Sequence, residues 1–124
     1  MRIGTDLVEV ARLRRVVERH PRFAERVFTA WERETAGGFR EPRRSEFLAG
    51  RFAAKEAVLK ALGTGISGDD VHLSDVEVRM GAAREPLPAL SGGAGRAARE
   101  LGLSTCQVSI THDGGFALAF AVLT

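Results

Sequence analysis

The first half of the chain places its apolar residues at helical spacing. A helix is predicted from Leu7 to about Arg19, and His20-Pro21 ends it because a residue before proline avoids the α conformation. A less regular helical stretch is expected over residues 22–35, closed by Gly37-Gly38. The apolar residues of the first helix recur at intervals of three and four: Val10, Leu13, Val16 and Val17.

The strongest helical pattern lies in the middle of the chain. It begins at Ser45, is rich in alanine and ends at Gly63-Thr64-Gly65, as is typical of a helix C-terminus. Ahead of the first helix, Arg2–Thr5 is interpreted as the end of a strand, which leaves Asp6 to cap that helix. The apolar stripe of the central helix consists of Phe47, Leu48, Phe52, Leu59 and Leu62.

The second half changes to the alternating pattern of strands. A helix interrupts them over Ser91–Gly102, with Ala97, Ala98 and Leu101 expected to face inward. Asp113-Gly114-Gly115 is a strong hairpin signal. The pattern predicts one α+β domain over residues 1–124, in which an antiparallel sheet packs with the long central helix. The predicted strands are Ser74–Met80, Leu87–Leu90, Gln107–Thr111 and Phe116–Leu123.

The last of these strands is apolar on both faces. Phe116, Leu118, Phe120 and Val122 share one face, and three alanines form the other. Both faces favour burial. Two interpretations stay open: another subunit covers the second face, or the chain itself buries both.

Composition limits the class of protein. The chain has 124 residues, 44% of them hydrophobic and 27% charged, as expected for a globular domain. No apolar run approaches the roughly 18 residues of a membrane span, so no membrane association is expected. Cys106 is the only cysteine, which favours a reducing, cytoplasmic setting.

Charge is distributed unevenly along the chain. Residues 1–62 hold fourteen Lys and Arg against nine Asp and Glu, a net charge of +5, whereas residues 63–124 carry a net charge of −3. A basic half suggests an acidic partner such as phosphate, nucleic acid or an acidic protein. A solvated, arginine-rich surface without any partner explains the charge difference between the two halves equally well.

Candidate chemistry centres on one carboxylate near the start and one face of the central helix. Asp6 is suited either to capping or to binding a hard cation such as Mg²⁺. Phe52, Glu56 and Lys60 recur every four residues and share a face. Glu56 and Lys60 form either a surface ion pair or part of a site for phosphate and Mg²⁺. The nearby Gly-x-Gly sequence supports the second interpretation because it permits a ligand to approach the backbone.

His112 lies at the end of the VSITH segment, directly after the predicted strand Gln107–Thr111 and just before the hairpin turn. Such a histidine serves either a structural hydrogen bond or proton transfer at the mouth of a sheet. The sequence contains no recognisable Ser-His-Asp arrangement, no Walker A loop and no dinucleotide-binding glycine pattern.

Three segments together resemble one family. They are GTDLVEVAR (4–12), EFLAGRFAAKEAVLKALGTG (46–65) and VSITHD (108–113), supported by RFAERVF (22–28). Their order and spacing resemble the small phosphopantetheinyl transferases of the holo-[acyl-carrier-protein] synthase type. The resemblance covers most of the chain, and the central block is its most specific part.

The resemblance implies an enzyme that transfers 4′-phosphopantetheine from coenzyme A to a serine hydroxyl of an apo acyl carrier protein. The other product is adenosine 3′,5′-bisphosphate, and Mg²⁺ is required. The family is typically a homotrimer with coenzyme A in clefts between subunits. Whether the carrier serves fatty acid or polyketide synthesis is left open.

The resemblance also assigns roles to residues. It makes Asp6 and Glu56 the metal ligands, Lys60 a phosphate contact and His112 an active-site residue. Glu56 is additionally suited to deprotonate the attacking serine through a water. The remaining assignments are Arg51, Gly63, Thr64 and Gly65 at the coenzyme A site, and Arg12, Arg19 and Arg22 for docking the carrier.

Two other functions compete with this one. A basic nucleic-acid-binding module accounts for the arginines, but aromatic residues are only 6%, tyrosine is absent and no nucleic-acid motif is present. A catalytically silent trimeric scaffold would keep the fold without the reaction. Binding of coenzyme A without transfer would indicate the scaffold, and salt-dependent binding of random duplex would indicate the module.

Overall fold

The computed structural model describes residues 1–63 and 70–124. Within them the chain forms two antiparallel sheets and five α-helices, which confirms the predicted α+β class. None of these helices combines the length and apolarity needed to cross a membrane. The elements are β1 (Arg2–Glu9), α1 (Val10–Arg19), α2 (Pro21–Val27), α3 (Ala30–Gly37), α4 (Arg43–Leu62), a short 3₁₀ turn (Leu73–Asp75), β2 (Val76–Met80), β3 (Pro86–Leu90), α5 (Gly92–Glu100), β4 (Cys106–Asp113) and β5 (Phe116–Leu123).

Helix α4 is the centre of the molecule. One face of the three-stranded sheet, in the order β1-β5-β4, packs against it, and the β2–β3 hairpin forms a separate sheet beside it. Where the sheet meets the helix, its inward face includes Gly4 of β1 and the alanines of β5, which are fully buried. Small side chains let the sheet approach the helix closely. That approach brings side chains from β1 next to side chains of α4.

The closest approach occurs at Gly4. A Cβ added there would lie 1.9 Å from the carbonyl oxygen of Ala57, which is backbone and has little room to move. We expect Gly4→Ala to lower the free energy of unfolding by about 3 kcal/mol, the upper range for an overpacked core. Urea denaturation measures this. Gly37→Ala is the control, since a Cβ at Gly37 meets nothing within 4 Å. Equal stability of the two variants would contradict the close approach.

The predicted boundary between the first strand and first helix is wrong. Strand β1 continues to Glu9, pairing with β5 from Arg2↔Leu123 to Glu9↔Phe116. Asp6 therefore lies within a strand and caps no helix. Helix α1 starts at Val10, whose N–H donates to the carbonyl of Gly115 at 2.9 Å. Pairing along the whole of β5 overrides the local helical pattern of residues 7–9.

Other boundaries shift for identifiable reasons. The stretch over 22–35 is two helices, because Phe28 is extended and Thr29 starts α3 with a reciprocal capping box to Glu32. Helix α4 begins two residues earlier than predicted, at Arg43. Helix α5 ends at Glu100, so Leu101 is 43% exposed and does not face inward as expected.

The second face of the three-stranded sheet stays open in the described part of the chain. Phe116, Leu118 and Phe120 are 43%, 41% and 44% exposed, and Ile3 and Leu7 on β1 are more exposed still. Of the two interpretations of β5, burial of both faces within one chain is therefore wrong. The exposed face is a continuous apolar band across β1 and β5.

Candidate active site

Close packing of β1 on α4 brings Asp6 to Lys60. The Lys60 Nζ atom donates to Asp6 Oδ1 at 3.0 Å and to the carbonyl oxygen of Thr5 at 3.1 Å. The Asp6 side chain is 15% exposed and that of Lys60 54%. The carboxylate thus lies at the base of a cleft, with the ammonium at its edge.

Glu56 lies one turn before Lys60 on the same face of α4. It lines a cleft of about 510 Å³ together with Asp6, Arg12 and Phe52; we call this the acid cleft. Burial raises the pKa of the Glu56 carboxyl, the negative charge of Asp6 raises it further, and Lys60 opposes both effects. The structure thus brings together the two carboxylates and the lysine that the sequence singles out, with one of the three predicted docking arginines.

The donor set of the acid cleft fits a magnesium ion that arrives with a phosphate ligand. Within residues 1–63 and 70–124, no three His, Cys, Asp or Glu side chains converge tightly enough to hold a metal by themselves. Mg²⁺ typically takes one or two protein carboxylates and completes its shell with water and substrate phosphates. Asp6 and Glu56 supply that number.

His112 lies elsewhere in the same chain. Its Nε2 donates to the Glu46 carbonyl at 2.7 Å, and its ring packs against Gly50, where an added Cβ would lie 3.0 Å from Nε2. It lines a second cleft of about 350 Å³, the histidine cleft, beside Arg14 and the β4–β5 turn. Strand β4 is two strands from β1, about 10 Å at normal sheet spacing. One chain therefore does not bring His112 to the acid cleft.

Arg51 also lies apart from the acid cleft. It is 8% exposed, and its guanidinium donates to the carbonyls of Val78 at 3.2 Å and Arg79 at 3.1 Å while stacking 4.2 Å from the Phe47 ring centroid. Five residues separate it from Glu56, which turns it by about 140° around the helix axis. In the described structure Arg51 holds β2 against α4.

The glycine-rich end of α4 is only partly described. Gly63 adopts the left-handed conformation with φ 73°, and its N–H donates to the carbonyls of Leu59 and Lys60, both at 3.1 Å. It thereby ends the helix as its sequence predicts, three residues after Lys60. Thr64 and Gly65 lie outside the described residues.

The predicted docking arginines occupy one side of the molecule. Arg12 lines the acid cleft, while Arg19 and Arg22 line a groove between α1 and α2. Val16 borders both. Phe23 and Arg26 also line this groove and were not predicted as docking residues, although their spacing after Arg22 already places all three near one another on a helix. We call the surface formed by Val16, Arg19, Arg22, Phe23 and Arg26 the arginine groove.

Comparison with known proteins identifies the class of protein to which this chain belongs. A family model described as the 4′-phosphopantetheinyl transferase superfamily matches residues 2–121. A holo-[acyl-carrier-protein] synthase of Desulforudis audaxviator is 46% identical over 121 residues, covering 97% of this chain and 89% of the relative. The corresponding protein of Clostridium acetobutylicum is 38% identical over 121 residues, covering 98% and 94%.

Solved structures agree with the sequence comparison. The holo-[acyl-carrier-protein] synthase of Helicobacter pylori, in complex with coenzyme A, superposes with a TM-score of 0.83 at 32% identity, covering 98% of this chain and 99% of that one. The chain therefore belongs to the holo-[acyl-carrier-protein] synthase family of phosphopantetheinyl transferases and is an enzyme.

Proposed function

We propose that the chain transfers 4′-phosphopantetheine from coenzyme A to a serine hydroxyl of an apo acyl carrier protein, with Mg²⁺ in the acid cleft. The observation that carries this proposal is that Asp6 and Glu56 line one cleft, with Lys60 bonded to Asp6 at 3.0 Å. Residues 1–124 would act as a single catalytic domain. The reaction forms a bond from the serine oxygen to the phosphorus that bears pantetheine, breaks the diphosphate bridge and releases adenosine 3′,5′-bisphosphate.

Positioning and charge neutralisation supply most of the catalysis in phosphoryl transfer. A bound Mg²⁺ would stabilise negative charge on the diphosphate. Asp6 and Glu56 would hold the ion, and Lys60 would donate to a phosphate oxygen. The Glu56 carboxylate is also suited to accept the serine proton through a water. His112, from another subunit, would orient the nucleotide.

The mass of the carrier protein tests the proposal directly. Incubation with apo carrier, coenzyme A and Mg²⁺ should add one phosphopantetheine group to the carrier, and EDTA should prevent it. No adduct at high enzyme concentration would overturn the proposal. Coenzyme A binding without an adduct would indicate the silent scaffold, and salt-dependent duplex binding without coenzyme A binding would indicate the nucleic-acid module.

The arginine groove suits an acidic helical carrier. Its arginines supply positive charge around the apolar Val16 and Phe23, and such complementarity mainly increases the encounter rate. We expect Arg19→Glu to raise the KM for the carrier at least about fivefold, because it places like charges opposite each other. The KM for coenzyme A should not change. Arg96→Glu on α5 is the control, and an equal effect of both variants would show that net charge alone matters.

Separation of the two clefts supports a homotrimer with active sites between subunits. The apolar band of β1 and β5 offers a surface for the contact, and His112 of one chain would complete the acid cleft of its neighbour. We expect two inactive variants, Glu56→Gln and His112→Ala, to regain activity when co-assembled. Random mixing leaves about one quarter of sites with both halves intact. Activity no greater than the sum of the separate variants would contradict shared sites.

A further inference from the structure

The bonds of Lys60 suggest how a divalent cation enters the acid cleft. The ammonium has three N–H donors, and two of them are used on β1, at Asp6 Oδ1 and at the Thr5 carbonyl. Lys60 therefore supplies the counter-charge of a carboxylate that the proposed function assigns to a metal ion. Among residues 1–63 and 70–124 the third donor has no bonding partner, which leaves it to a further oxygen ligand.

An ammonium and a divalent cation on the same carboxylate repel each other. With the Lys60 Nζ atom 3.0 Å from Asp6 Oδ1, an ion on the other carboxylate oxygen would lie within several ångströms of the ammonium. Repulsion at such separations is substantial even in a water-like dielectric. Displacing the ammonium instead forfeits its ion pair and its bond to Thr5. Either way, the positive charge of Lys60 weakens binding of the ion by itself.

A diphosphate reverses this balance. Its oxygens can accept a hydrogen bond from the third N–H of Lys60 and bind the ion at the same time. The long, half-exposed lysine side chain can follow them, since only its terminal atom is held on β1. Ion and diphosphate together satisfy both the carboxylates and the lysine.

We propose that Lys60 competes with the divalent cation for Asp6, so that the enzyme binds the cation together with a diphosphate rather than alone. The inference rests on the proposed function, because it assumes that Asp6 is a ligand of the ion. It assigns Lys60 a role before the chemical step, in addition to its contact with the phosphate. The species recognised is thus a complex of a divalent cation with a nucleotide diphosphate.

Mn²⁺ binding to the substrate-free enzyme tests this inference without any turnover. Electron paramagnetic resonance counts free Mn²⁺ during a titration. We expect Lys60→Met to bind Mn²⁺ about three- to tenfold more tightly than the unmodified chain, from the loss of the repulsion and of the competing ion pair. Arg96→Met removes one exposed positive charge from α5 and should leave Mn²⁺ affinity unchanged. Circular dichroism confirms that each variant folds.

A second titration includes coenzyme A without carrier, after correction for Mn²⁺ bound by coenzyme A in solution. Coenzyme A should increase Mn²⁺ affinity strongly in the unmodified chain and several-fold less in Lys60→Met. Equal or weaker Mn²⁺ binding by substrate-free Lys60→Met would overturn the inference. Asp6→Asn separates this failure from that of the proposed function. If this variant binds Mn²⁺ in the presence of coenzyme A as tightly as the unmodified chain, Asp6 is not a ligand of the ion and the proposed metal site is wrong.

Discussion

Glu56→Gln is expected to lower the rate of phosphopantetheine transfer by at least about 10²-fold, comparable to the loss of one dominant electrostatic contact in an active site. The amide keeps the shape of the side chain but removes its charge, which both the proposed metal site and proton acceptance require. Because Glu56 lines the open acid cleft and forms no ion pair with any other described residue, the variant should fold normally.

The assay is the formation of holo carrier protein, measured by mass at saturating coenzyme A. Glu100→Gln is the matched control, since it removes an exposed carboxylate from α5, on another helix. Circular dichroism and the urea midpoint should be unchanged in both variants. Transfer by Glu56→Gln within tenfold of the unmodified rate would remove Glu56 from the metal and proton-accepting roles, and the proposed mechanism would then require a different carboxylate.

How far the sequence determines the fold is clearest for β5. Its predicted limits, Phe116–Leu123, agree with the structure, because strict alternation and the preceding Gly114-Gly115 turn are both local signals. The start of α1 is the opposite case. Residues 7–9 satisfy a helical pattern, but they pair with β5 more than one hundred residues away, and no local signal encodes that pairing.

The candidate site likewise has one part that local sequence predicts and another that depends on tertiary packing. Glu56 and Lys60 share a face because α4 is regular, so local spacing alone predicts their proximity. The meeting of Asp6 with Lys60 depends on the close contact of Gly4 with α4, a packing detail that composition does not reveal. Arg51 depends on tertiary packing as well, since two of its five N–H donors bond to the carbonyls of Val78 and Arg79, a contact that helical spacing does not predict.

Lys55, one residue before Glu56 on α4, is fully buried. Its Nζ atom lies 2.6 Å from Glu32 Oε1 and also contacts the carbonyls of Val76 and Leu73. The Glu32 carboxylate further accepts from the backbone N–H groups of Thr29 at 2.9 Å and Val78 at 2.8 Å. Burial lowers the pKa of the Lys55 ammonium, although Glu32 opposes this. The pair connects α3 and β2 to α4, the helix that carries Glu56 and Lys60.

Lys55→Met is expected to lower the free energy of unfolding by about 3–5 kcal/mol, because it leaves the Glu32 charge buried without its counter-ion. Glu32→Leu should cost more than Lys55→Met. It leaves the Lys55 ammonium buried without its counter-ion. It also removes the acceptor of one buried and one partly buried N–H group, and a buried donor left unsatisfied costs about 1–3 kcal/mol. Urea unfolding at one fixed protein concentration measures both losses.

The double variant Lys55→Met/Glu32→Leu distinguishes pairing from simple loss of volume. With both charges gone, only the unpaired N–H and carbonyl groups remain as a penalty, so the double variant should be more stable than Glu32→Leu alone. Arg79→Met, which breaks the exposed pair with Glu77, is the control and should leave the midpoint nearly unchanged. If the two single losses simply add, the charges are not coupled, and the stability of this region must come from packing of their aliphatic stems.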